Sequence, residues 1–159
     1  MRPIEFECTT IILGTPAQIA ANIADVERWS EFKGYGFLPG IAKAEYEQRT
    51  ADMVGSRLRV LNTDGSRHRE EFCEWNPGVN PGQKIIIKLH DFSPPVNRLA
   101  THFIEEWNFA ASDHATLVRR SFQLFPKQPI TRPFLWLISL VFKRAIARHL
   151  AEMAAEAAG

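Results

Sequence analysis

The sequence lacks most of the features that announce a function. Its 159 residues hold two cysteines, Cys8 and Cys73, too few and too far apart for a disulfide framework, a zinc site or a redox motif. They read as buried free thiols, which suits a reducing compartment. Charge of either sign is not in excess: 19 Lys and Arg meet 18 Asp and Glu, for a net charge of +1. No global field therefore draws the chain to nucleic acid or to an anionic membrane. No apolar run reaches the roughly 20 residues of a membrane span. The opening MRPIEFECTTIIL alternates acidic and apolar residues where a signal peptide would carry an apolar block and a small-residue cleavage site. A soluble, cytoplasmic protein without stable membrane insertion is expected.

Catalytic and cofactor motifs are equally scarce. His68, His90, His102, His114 and His149 fall at no metal-binding spacing, so no metal is expected. The nearest serine context to a nucleophile elbow is Val54-Gly55-Ser56-Arg57, which is not one. The glycines of GYGFLPG do not sit between a strand and a helix start, which removes the phosphate-cradle reading and with it a nucleotide cofactor. Arg67, Arg69, Arg119 and Arg120 are balanced by Glu70, Glu71, Glu105 and Glu106 on neighbouring strands, a pattern of cross-strand ion pairs rather than of nucleic-acid contact.

What the sequence does have is periodicity, and its 45% hydrophobic content in this length suits one compact domain spanning residues 1–159. Ile4, Phe6, Cys8 and Thr10 alternate with Glu5, Glu7 and Thr9, a strand with one buried face. Gly14-Thr15-Pro16 ends it, with Thr15 as a helix cap and Pro16 at the first helical position. PAQIAANI is then a short helix, and Asp25 caps a second that carries Val26, Trp29 and Phe32 until Gly34 and Gly36 stop it. Six further strands follow: AKAEYEQR, SRLRVLN, SRHREEFCEW, QKIIIKLHDF, LATHFIEEWNFA and ATLVRRSFQLF, separated by Thr63-Asp64-Gly65, NPGVNPG, Pro94-Pro95 and Ser112-Asp113 among others. From about 132 to 157 the period becomes helical, with Leu135, Ile138, Phe142, Ala145, Ile146, His149 and Met153 recurring every three or four residues. That helix is apolar over most of its circumference from 134 to 142, which fits packing under a curved sheet, or else a dimerising or membrane-touching surface.

The residues within these elements carry a resemblance. TPAQIAANIADVERWSEF, GSRLRVLNTDGSRHREEFCEW and IEEWNF…LVRRSF resemble the polyketide cyclase/dehydrase-like branch of the START-like, or SRPBCC, superfamily, over nearly the whole chain. The resemblance implies an α+β helix-grip fold: a curved seven-stranded antiparallel sheet wrapped around a long C-terminal helix, with two short helices between strands one and two. It also implies an internal cavity between sheet and last helix, entered near the second short helix. On that reading Trp29 and Phe32 reach the cavity rim, and Gly34 and Gly36 let Tyr35, Phe37 and Leu38 close over a ligand as a gate. The alternative is that Trp29 and Phe32 only anchor the helix.

Strand parity supplies the rest of the candidate site. Phe103, Glu105, Trp107 and Phe109 share one face of strand six, and Thr116, Val118, Arg120, Phe122 and Leu124 one face of strand seven. A turn at Ser112-Asp113 pairs Phe103 with Phe122, Glu105 with Arg120 and Trp107 with Val118, so a carboxylate and a guanidinium face the cavity together. A turn at Asp64-Gly65 sets Leu58 against Glu71 and Val60 against Arg69; a one-residue change would bring in His68, Glu70 and Phe72 instead. With Leu135, Ile138 and Phe142 from the last helix, these residues form the expected ligand site. Three functions are compatible with it. One is a binding protein for a hydrophobic or aromatic small molecule. Another is a cyclase or dehydratase using Glu105 or Glu71 as acid or base with Arg120 on the enolate. The third is a lipid or quinone carrier acting with a partner protein or membrane.

Overall fold

Thr15 decides where the first strand stops. In the computed structural model, which describes residues 1–78 and 82–159, β1 (Ile4–Leu13) gives way at Thr15 to α1 (Pro16–Ala24) through a capping box: the Thr15 side chain accepts from the Gln18 N–H, and the Gln18 side chain accepts from the Thr15 N–H. Asp25 then accepts from the Glu27 N–H and starts a 3-10 helix, Val26–Glu31. Six strands follow, β2 (Ile41–Gln48), β3 (Arg57–Asn62), β4 (Arg67–Asn76), β5 (Lys84–His90), β6 (Ala100–Ala111) and β7 (Ala115–Pro126), with a short helix α2 (Val96–Leu99) before β6. A 3-10 turn, Pro129–Thr131, leads into α3 (Arg132–Ala158). The turn read in NPGVNPG lies partly outside the described residues.

The strands form one antiparallel sheet in the order β1-β7-β6-β5-β4-β3-β2. The two helical segments after β1 carry the chain from one sheet edge to the other, and the remaining strands return as a meander. α3 lies over the concave side, packed mainly along β1, and buries Leu135, Ser139, Phe142, Ala145, Ile146 and Leu150. This is the helix-grip α+β arrangement. Among the described residues no helix is long and apolar enough to cross a membrane, and no cluster of His, Cys, Asp and Glu could hold a metal ion.

Two registers differ from the expected ones. Ser112 N–H donates to the Ala115 carbonyl, so the β6–β7 turn is centred on Asp113-His114 and Trp107, rather than Glu105, lies opposite Arg120. The slip is two residues, so every side chain keeps its expected face. At β3–β4 the slip is one residue, and it changes the site. Asn62 N–H donates to the Ser66 carbonyl, closing a three-residue loop with Gly65 at φ +86° instead of a two-residue turn. Leu58 therefore faces Glu70 and Val60 faces His68. Glu71 points to the outer face, and His68, Glu70 and Phe72 point in.

A bulge after Phe72 adds a second local correction. Phe72 pairs with Ile87 but Glu74 with Ile86, leaving Cys73 unpaired; it lies on the outer face with Glu71 and is exposed rather than buried. The extra residue also lets Phe72 and Trp75 both turn inward, where their rings meet edge to face at 5.3 Å. Of the arginines read as a basic patch, Arg120 pairs with Glu105 as expected, at 2.5 Å, whereas Arg69 pairs with Glu47 at 2.8 Å and Asp91 at 3.2 Å, Arg119 with Glu7 at 3.9 Å, and Arg67 forms no ion pair among the described residues.

Candidate functional site

Between the concave sheet face, α3 and the 3-10 helix lies a cavity of about 430 Å³, inside the range of about 300–1,000 Å³ usual for small-molecule sites. Its wall is mostly aromatic and aliphatic. Phe122 and Phe142 approach to 4.6 Å between ring centres, and Phe92 and Phe103 to 4.7 Å. Of the residues expected to bind a ligand, Trp29, Phe32, Phe37, Phe103, Glu105, Trp107, Arg120, Phe122, Ile138 and Phe142 line this cavity. Leu58, Val60, Val118 and Leu135 are fully buried but sit in the core outside the lining. Tyr35 is exposed, with the Arg144 guanidinium 6.0 Å above its ring, and Glu71 is on the other side of the sheet.

A row of ionisable side chains crosses the apolar wall. Antiparallel parity puts Glu70 of β4, Glu105 of β6 and Arg120 of β7 on the inner face, and their exposures are only 5%, 4% and 9%. Arg120 Nε donates to Glu105 Oε1 at 2.5 Å, and one of its terminal nitrogens donates to His149 Nδ1 at 3.0 Å. Because arginine has no acceptor, His149 must carry its proton on Nε2. The guanidinium also lies 4.4 Å from the Trp107 ring centre and 5.4 Å from that of Phe122, so it is held on both its edge and its faces. Glu70 meets His68 Nε2 at 2.9 Å, and His68 Nδ1 faces the Asn62 amide nitrogen at 3.4 Å. The amide nitrogen only donates, so His68 accepts at Nδ1 and donates from Nε2 to the carboxylate.

Burial raises the Glu105 pKa above the ordinary carboxylate value, the Arg120 charge opposes that, and the Glu70 charge adds to it. The Trp107 N–H also favours the charged form of Glu105, yet its geometry is too poor for a hydrogen bond, leaving Trp107 Nε1 a buried donor without a partner. Burial, then the charges of Arg120 and Arg28, depress His149 to about 3. His149 is thus neutral in the fold where the unfolded chain would protonate it near 6.5. The unfolded state binds more protons below that pH, so the stability His149 contributes is full above it and is lost as pH falls toward 3. The expected slope is at most about 1.4 kcal/mol per pH unit. It should appear as a shrinking difference between wild type and His149→Gln in denaturant unfolding from pH 7 to pH 4; a constant difference would place His149 in solvent.

The rim is more fixed than a mobile gate requires. Trp29 Nε1 donates to the Ile23 carbonyl at 2.8 Å, which pins its ring. Gly34 does not serve mobility: a Cβ there would stand 2.2 Å from the Leu38 carbonyl oxygen, so glycine allows the close crossing of residues 34 and 38 to 40. Tyr35 and Leu38 exchange backbone hydrogen bonds around Gly36, at φ +56°. Phe37, at the tip of this turn, is the candidate cover.

Parity and composition reached Glu105, Arg120 and the aromatic wall. His149 is not among the expected site residues, and Glu70 and His68 enter only through the alternative register of β4. His149 had a signal, being the ionisable member of an otherwise apolar inward stripe on α3, whereas Glu70 and His68 depended on one residue of loop length.

No family model matches the sequence, and no curated protein matches it. Solved structures do match in shape. A START superfamily protein from Mycobacterium smegmatis superposes with a TM-score of 0.68 at 13% identity, over 96% of this chain and 97% of its own. The Zhui aromatase/cyclase from Streptomyces sp. R1128 gives 0.71 at 14% identity, over 97% and 93%. Norcoclaurine synthase from Thalictrum flavum, in complex with dopamine and hydroxybenzaldehyde, gives 0.61 at 10% identity, over 94% and 87%. The chain has the START-like, or SRPBCC, helix-grip fold.

Proposed function

We propose that the protein binds a neutral aromatic small molecule bearing hydroxyl or carbonyl groups. The carrying observation is the mixed wall of the cavity: an aromatic lining of about 430 Å³ crossed by Glu70, Glu105 and Arg120. Two carboxylates and one guanidinium leave that wall acidic, so a ligand carboxylate would add repulsion that a phenol or ketone does not. Glu70 supplies an acceptor for a hydroxyl. The His149 Nε2–H supplies a donor for a carbonyl. Arg120 is already shared between Glu105 and His149 and serves to hold them in place. The likeness to an aromatase/cyclase and to a synthase in complex with hydroxybenzaldehyde, a neutral phenolic carbonyl compound, supports the ligand class.

A second reading, catalysis of cyclase or dehydratase type, is favoured by one observation. Glu70 faces the cavity bonded to a histidine and not to an arginine or lysine, as a general base requires. In that reading the Glu70–His68 pair takes over the role expected of Glu71: it removes a proton next to a ligand carbonyl and returns it to a departing hydroxyl, which leaves as water.

Native mass spectrometry of protein purified from its own host is the test. A retained neutral aromatic, lost on denaturation, is the expected result. Protein that comes out empty, and whose unfolding temperature no hydroxylated naphthalene or anthraquinone raises, would overturn the binding proposal. If a bound compound is returned unaltered after long incubation with wild type, the catalytic reading falls and binding stands.

A further inference from the structure

We propose that the first half of α3 and the Phe37 turn form a docking surface for an anionic lipid bilayer, against which the cavity mouth is held. The docking does not depend on which ligand the cavity takes.

The first half of α3 presents an inverted helix face. A helix packed on a sheet turns its polar side chains outward. From Pro133 to Phe142 α3 has one polar side chain, Ser139, and that one is buried, its hydroxyl donating to the Trp136 carbonyl. The outward positions are Phe134, Trp136, Leu137 and Leu140, with exposures of 58%, 52%, 53% and 46%. The ridge continues onto the neighbouring turn: Gly36 lies against Val141, and Phe37 beside it is 69% exposed. Phe37 and Ile138 also line the cavity, so the apolar surface runs into the cavity mouth.

Charge decides the occupant. Between Asp113 and Glu152 there is no acidic residue, against seven Lys and Arg. Arg132 stands at one end of the ridge and Lys143 and Arg144 at the other, all exposed, and among the described residues none of the three forms an ion pair. A second copy placed symmetrically on this ridge would set these cations against their own counterparts, with no carboxylate on the ridge to answer them. A convex strip of Phe, Trp and Leu flanked by cations suits the headgroup boundary of an anionic bilayer, where apolar side chains sink about 5–10 Å and basic ones meet lipid phosphate. At about 1.5 Å per residue the strip is far too short to span, so the protein would lie on the surface. Trp136 is the residue type that favours that depth.

Vesicle flotation of the full chain tests this, with vesicles of phosphatidylcholine alone and with about 30% phosphatidylglycerol. Flotation is expected only with the anionic vesicles and should weaken as salt shortens the screening length. Trp136 emission should shift to the blue on binding, a shift absent from Trp136→Phe. Leu137→Glu with Leu140→Glu should lower partitioning by about tenfold or more. Lys143→Gln with Arg144→Gln should lower it roughly fivefold per charge. These positions are exposed, so unfolding midpoints near wild type will show the variants folded. No flotation at low salt, or equal flotation with both vesicle types, would overturn the proposal. So would a vesicle-free dimer that Leu137→Glu with Leu140→Glu dissolves, which assigns the ridge to a second copy, or an acidic protein partner captured by a ridge that ignores vesicles.

Discussion

Arg120→Leu is expected to destabilise the protein by about 3–5 kcal/mol, the usual cost of leaving a buried charge without its partner. Glu105, 4% exposed, accepts from Arg120 Nε at 2.5 Å and has the negative Glu70 nearby. Without the guanidinium its pKa should rise further, because the one strong favourable charge is gone while burial remains. His149 loses the donor to Nδ1 in the same step. The double variant Arg120→Leu with Glu105→Leu removes both charges and should recover much of the loss. Denaturant unfolding of the four proteins measures the coupling. Additive effects would mean that the two side chains do not meet in solution.

A chain ending before Pro129 is expected not to fold. α3 contributes Leu135, Phe142, Ile146 and Leu150 to the core, all buried. At about 1.5–3 kcal/mol for each such side chain, this burial alone matches a whole domain's net stability of about 5–15 kcal/mol. The loss also uncovers Phe103 and Phe122, whose rings stand 6.1 Å and 4.6 Å from Phe142. A sheet with one bare apolar face has no second layer to bury it. Cooperative unfolding of the truncated chain, seen as a single sigmoid in urea, would show that the sheet holds itself together.

The two carboxylates on the inner face, Glu105 and Glu70, differ in how far the sequence determines them. Glu105 and Arg120 were placed on the inner face by parity alone, and the two-residue error in the β6–β7 turn did not matter. A shift of two restores the same face, and both side chains are long enough to meet diagonally. At the β3–β4 turn the error was a single residue, which exchanges the two faces. A two-residue turn there puts Glu71 inward, and the three-residue loop puts Glu70 and His68 inward instead.

Period and punctuation therefore determined the order of elements, the two short helices after β1, the long last helix and the apolar faces of β6 and β7, because each depends on neighbours close in sequence. The tertiary structure decided the rest. It set the loop length at Gly65, the bulge that turns Trp75 inward, the pinning of Trp29, and the meeting of His149 with Arg120 across 29 residues. It also left Phe134, Trp136, Leu137 and Leu140 of α3 outward, since a helix apolar on all sides does not say which side the sheet will cover. These outcomes depend on contacts between distant segments, whose register is fixed only when the sheet closes around the helix.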